Sequence, residues 1–162
     1  MNKQRWRCGM QVGTQVAALL IGKSNKTLYR WAEEERLSPI VETTSTSSKA
    51  FRKMYFDLEE LKPYLAIPFD SSLEEDIVRV EAGEADAYTE VGLRFFAAEH
   101  HEQAFHWFEI AAQKGHVDAM DWLATCYLEG LGAPVDRAAA MEWLGRAARA
   151  GHILAQEKIE AL

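Results

Sequence analysis

Residues 119–151 carry Ala119-x-x-x-Leu123-Ala124-x-x-Tyr127, then Gly130-x-Gly132, then Trp143-x-x-x-Ala147-Ala148-x-x-Gly151. The same alternation of small and large residues occurs upstream. Ala87-x-x-x-Val91-Gly92-x-x-Phe95 precedes the first motif by 32 residues, and Trp107-x-x-x-Ala111-Ala112-x-x-Gly115 precedes the last by 36. The four extra residues fall in the connector 129–135, which the upstream copy lacks. A period of this length marks supersecondary units stacked along one axis. Within each unit apolar residues recur at i, i+3, i+4 and i+7, so each unit reads as two amphipathic helices. The paired alanines let neighbouring helices approach closely, and each Trp fills volume between them. Gly115 and Gly151 stand just past a helix, where a left-handed residue is favoured. Gly132 and Pro134 mark the link between the two helices of the second unit. Residues 153–162 read as one more helix over the open end of the stack.

This pattern resembles the Sel1-like repeat, a relative of the tetratricopeptide repeat. Residues 116–151 carry nearly all of it, and residues 84–115 depart by losing the Gly-x-Gly connector. The resemblance implies an α/α solenoid whose concave face holds a protein or peptide partner. The Ala, Gly and Trp positions themselves are read as packing residues.

The first third of the chain is built differently. Thr14 reads as an N-cap, residues 15–21 as a short apolar helix, and Gly22 as its left-handed end. Ser24 reads as the next N-cap, opening a helix from Asn25 to about Arg36. Two short helices across a glycine turn match a helix-turn-helix, whose second helix enters the major groove. Leu28 and Trp31 would pack inward, while Lys26 and Arg30 share a face with Tyr29 beside them. Ser24 and Asn25, near the N-terminus of that helix, can meet phosphates or base edges. Glu33, Glu34 and Glu35 lie at its far end and are expected to project away from phosphate.

Residues 40–56 have β-branched and aromatic residues at both ends and six consecutive hydroxyl residues, 43–48, between them. Lys49, Arg52 and Lys53 follow, interleaved with Phe51 and Tyr55. A hairpin with a hydroxyl-rich tip and a basic returning strand suits a DNA-binding wing. Asp57-x-x-Glu60 then opens a capped helix whose Leu58, Leu61 and Leu65 face inward, and Pro63 limits its length. Further on, Ser72-x-x-Glu75 reads as the cap of a leading helix. Residues 10–66 resemble the winged helix-turn-helix of MerR-type regulators and phage excisionases through Ser24, Thr27, Leu28, Arg30, Trp31, Leu37, Pro39, Tyr55, Asp57 and Leu58. By that resemblance Lys26, Tyr29 and Arg30 fall at DNA-contacting positions. The hydroxyl-rich loop lacks the family's usual wing glycine.

Charge divides at the same place. The formal net charge of −7 conceals 10 Lys/Arg against 4 Asp/Glu in residues 1–56, and 8 against 21 in residues 57–162. Such asymmetry points to nucleic acid at the basic end. Cys8 and Cys126 are too few and too distant for a disulfide framework or a zinc site, and read as reduced thiols. The longest apolar run, 16–21, is too short for a membrane span. A cytoplasmic protein without membrane contact is expected. His100, His101, His106, His116 and His152 lack a completing ligand set, so no metal is expected. With no Ser-His-Asp arrangement, phosphate-cradling loop or paired carboxylates, neither an enzyme nor a cofactor is expected.

The expected fold is mainly α. Residues 1–66 form a winged helix-turn-helix with a β-hairpin wing. Residues 67–83 form a linker and leading helix, and residues 84–162 a short solenoid of Sel1-like repeats with a C-terminal capping helix. The expected function is a transcriptional regulator binding double-stranded DNA through Ser24, Asn25, Lys26, Tyr29, Arg30, Lys49, Arg52 and Lys53. The repeats would hold a protein partner or a second copy, because one small module offers few base contacts. The alternatives are an excisionase-like architectural protein of a mobile element and an adaptor that touches no DNA.

Overall fold

The computed structural model describes residues 9–46 and 49–161. They form two compact units, divided between Phe69 and Asp70.

In the first unit, β1 (Gln11–Gly13) leads directly into α1 (Thr14–Ile21) and α2 (Asn25–Glu33). Strands β2 (Ile40–Thr46) and β3 (Lys49–Asp57) form a hairpin, and β1 pairs antiparallel with the other edge of β3. Val12 sits opposite Phe56, and both are fully buried against a core of Leu20, Leu28, Leu37, Leu58 and Leu61. Thr14 is not the cap of α1. Gly13 holds that position, and the Thr14 hydroxyl instead donates to the Met54 carbonyl at 2.8 Å, tying helix to hairpin. Ser24 does cap α2, accepting the Thr27 N–H at 3.2 Å. That helix stops at Glu33, short of the expected Arg36, because Glu35 turns left-handed (φ 57°). The Arg36 N–H then closes on the Trp31 carbonyl at 2.8 Å. Asp57 caps α3 (Leu58–Leu61) through the Glu59 N–H at 3.0 Å, and Pro63 tightens the continuation, Lys62–Tyr64, into a 3₁₀ turn.

The second unit begins with α4 (Ser71–Glu81), capped by Asp70 rather than Ser72: its carboxylate accepts the Leu73 N–H at 2.7 Å. Then come α5 (Ala85–Ala97), α6 (His101–Gln113), α7 (Val117–Glu129), α8 (Arg137–Arg149) and α9 (Ile153–Ala161). The first four of these have 13 residues each, so the offsets of 32 and 36 carry one helix pair onto the next without changing helix length. Ala87, Val91, Ala119, Leu123, Ala124, Ala140, Leu144, Ala147 and Ala155 are fully buried between helices. Gly115 and Gly151 both turn left-handed, at φ 92°. The two tryptophans differ. Trp107 is fully buried, but Trp143 is half-buried, with the Arg146 guanidinium 4.6 Å above its ring. Gly132 lies so close to the first connector that a Cβ there would stand 2.1 Å from the His101 carbonyl oxygen. The last helix buries Ala155 while leaving Ile153 and Leu154 exposed.

Candidate nucleic-acid interface and repeat surface

Helix α2 divides cleanly. Leu28 and Trp31 are buried, and Asn25, Lys26, Tyr29 and Arg30 are exposed on the opposite side. Ser24 is exposed but committed to its cap, and its hydroxyl also lies 3.0 Å from the Thr27 hydroxyl. Tyr29 is 45 % exposed. Lys53 is exposed on β3, opposite Glu42 in register. Lys49 pairs with Thr46 and Arg52 with Thr43 in the same ladder, and their side chains lie outside the described residues. Lys3, Arg5, Arg7 and Cys8 also lie outside them. In all, residues 1–69 contain 11 Lys/Arg and 7 Asp/Glu.

The acidic run behaves differently from its sequence expectation. Glu34 does not simply point away: its carboxylate lies 3.7 Å from Arg30 Nε and 3.9 Å from Arg36 Nη1. The signal was present as an i, i+4 spacing of Arg30 and Glu34. It was overshadowed by the run of three like charges around it.

Residues 70–162 carry 7 Lys/Arg and 18 Asp/Glu. Several acids are consumed internally. Arg94 donates to Ser72 at 2.7 Å and lies 3.3 Å from Asp76 and 3.4 Å from Asp70. The Leu73 N–H and the Arg94 guanidinium hold the Asp70 carboxyl below the usual carboxylate range. Arg79 meets Asp76, Glu84 and Asp86. Burial opposes the charge of Asp86, yet Arg79 and the Ala87 N–H still hold its carboxyl low. Burial pushes the Cys126 thiol up to about 11, leaving it a packing residue rather than a nucleophile.

The histidines are placed by the repeat. His116 Nδ1 lies 2.8 Å from the Thr89 hydroxyl, and His152 Nδ1 accepts the Ala155 N–H at 3.2 Å while Nε2 faces Asp118 at 3.2 Å. Among the described residues no three His, Cys, Asp or Glu side chains are arranged to hold a metal ion. No described helix is long and apolar enough to cross a membrane. Aromatic rings continue between the units of the stack: Trp122 stacks on Phe108 with centroids 5.7 Å apart and tilts against Phe96 at 5.1 Å. Trp122 and Phe96 are partly buried.

The Sel1 repeat family model matches residues 101–116 and 117–152. Residues 101–152 are similar to Sel1 repeats. The full second match spans α7, the Gly-x-Gly connector and α8. The first begins only at α6, consistent with the missing connector between α5 and α6. A Sel1 repeat protein from Oxalobacter formigenes superposes with a TM-score of 0.50 at 28 % identity, over 54 % of this chain and 37 % of that one. A protective antigen present in uropathogenic Escherichia coli strains, displaying an SLR fold, gives 0.51 at 35 % identity over 55 % and 20 %. The chain thus spans well under half of either relative. No curated protein matches it significantly. The residues matched by the family model all lie in the second unit.

Proposed function

We propose that the chain is a DNA-binding regulator. Residues 1–66 act as a winged helix-turn-helix of MerR or excisionase type, residues 67–83 as a linker and leading helix, and residues 84–162 as a Sel1-like solenoid holding a protein partner or a second copy. The observation that supports this most is the exposed face of α2. Lys26, Tyr29 and Arg30 stand together on the side opposite buried Leu28 and Trp31, in a chain whose hairpin adds exposed Lys53. A helix capped by Ser24 also presents free N–H groups and a positive dipole end to phosphate. The acidic second unit is repelled by DNA, which favours approach through the basic one.

A labelled duplex titrated at rising salt tests the reading. Steep weakening is expected, because each phosphate contact releases counterions. Arg30→Ala should cost on the order of 1–3 kcal/mol on a selected site. Absence of binding at low salt would leave the adaptor reading. Strong bending of bound duplex would favour the architectural one.

A further inference from the structure

Arg30 does not stand alone on α2. Its Nε lies 3.7 Å from Glu34 Oε1, and the other oxygen of that carboxylate lies 3.9 Å from Arg36 Nη1. The Arg36 guanidinium sits over the Trp31 ring, 4.5 Å from its centroid. Trp31 is buried and tilts against Tyr64 with centroids 4.9 Å apart. The left-handed Glu35 makes this possible: by ending the helix there, it brings Arg36 back over the indole. A continuous path therefore runs from the core through Trp31 and Arg36 to Glu34, and from Glu34 to Arg30.

We propose that Glu34 is a positioning residue for Arg30, holding its guanidinium so that the fork meets a base edge. The proposal rests on the duplex-binding reading above. An arginine reads guanine through two parallel hydrogen bonds, and that needs a defined orientation of a long, rotatable side chain. Exposed ion pairs contribute little to folding, so Glu34 is not needed to hold the helix together. A carboxylate on a face that meets phosphate would otherwise only weaken binding. Its anchoring through Arg36 gives it a use there.

The test compares two duplexes: one enriched by the full chain from a random-sequence pool, and a scrambled duplex of the same composition. Glu34→Ala should lower the ratio of their affinities by about threefold to tenfold, with circular dichroism and melting temperature nearly unchanged. In an Arg30→Ala background the same substitution should leave the ratio where it is. A ratio unaffected by Glu34→Ala, or lowered equally without Arg30, overturns the positioning role while leaving DNA binding intact. If the wild-type chain binds no duplex even at low salt, the duplex-binding reading fails and the proposal fails with it. That result is distinguishable because no affinity exists to compare.

Discussion

Lys158 Nζ lies 2.7 Å from Asp121 Oδ2 and 3.0 Å from the Thr125 hydroxyl, fastening α9 to α7. Asp121 is 8 % exposed, and its Oδ1 is buried with no hydrogen-bond partner. The carboxylate therefore depends on one cation. Lys158→Met should destabilise the second unit by about 1–2 kcal/mol, below the cost at a fully buried pair because the Lys158 side chain is 38 % exposed. Adding Asp121→Asn should recover part of that loss. Urea melts of the four combinations would measure the coupling, and strict additivity would show that the pair does not act as a unit.

The two connectors make opposite predictions for glycine. Gly132 turns left-handed (φ 80°) with the His101 backbone where a Cβ would go. Gly132→Ala should cost about 3 kcal/mol through backbone strain and the clash together. At Glu99 a side chain already occupies the left-handed region, at φ 62°. Glu99→Gly should raise stability by about 0.5–1 kcal/mol, read as a higher melting temperature.

Asp70 carries an acid dependence. Its folded carboxyl titrates below the ordinary range of an aspartate. The stabilisation it supplies is thus fully present above that range and lost as pH falls through the folded pKa. Asp70→Asn keeps a capping side chain but removes the charge. The variant should show a shallower fall in melting temperature between pH 5 and pH 2 than the wild type. Equal slopes would place the acid sensitivity elsewhere, for example at Asp86.

The helices of the second unit were legible because small residues repeat. Ala119, Ala124, Ala147 and their upstream counterparts are buried for the same geometric reason each time, so spacing alone locates them. What spacing could not reveal was where equivalent residues part company. Trp107 and Trp143 share a motif, but the environment that fully buries one leaves the other half-exposed under Arg146. Arg94 was unreadable for another reason. Its partners Asp70, Ser72 and Asp76 come from a different helix and its approach, and no local pattern announces such a meeting.

In the first unit the buried face of α2 followed from Leu28 and Trp31, and Ser24 was recognisable by its place before the helix. The caps of α1 and α4 are not legible in the sequence because several hydroxyl and carboxyl residues stand together. At Thr14 the nearby Met54 carbonyl competed successfully for the hydroxyl, and at α4 Asp70 lies one residue outside the helix, where Ser72 already lies within it. The exposed face was readable as chemistry, while the link from Arg30 to Trp31 through Glu34 was not. It depends on the left-handed turn at Glu35, which no residue type there favours.

The extra residues between α7 and α8 leave both helices as long as their upstream counterparts. Their Pro134–Asp136 segment is exposed. Helix length in the repeats is thus decoupled from connector length, so added residues can be taken up in the exposed link while the helices keep their length.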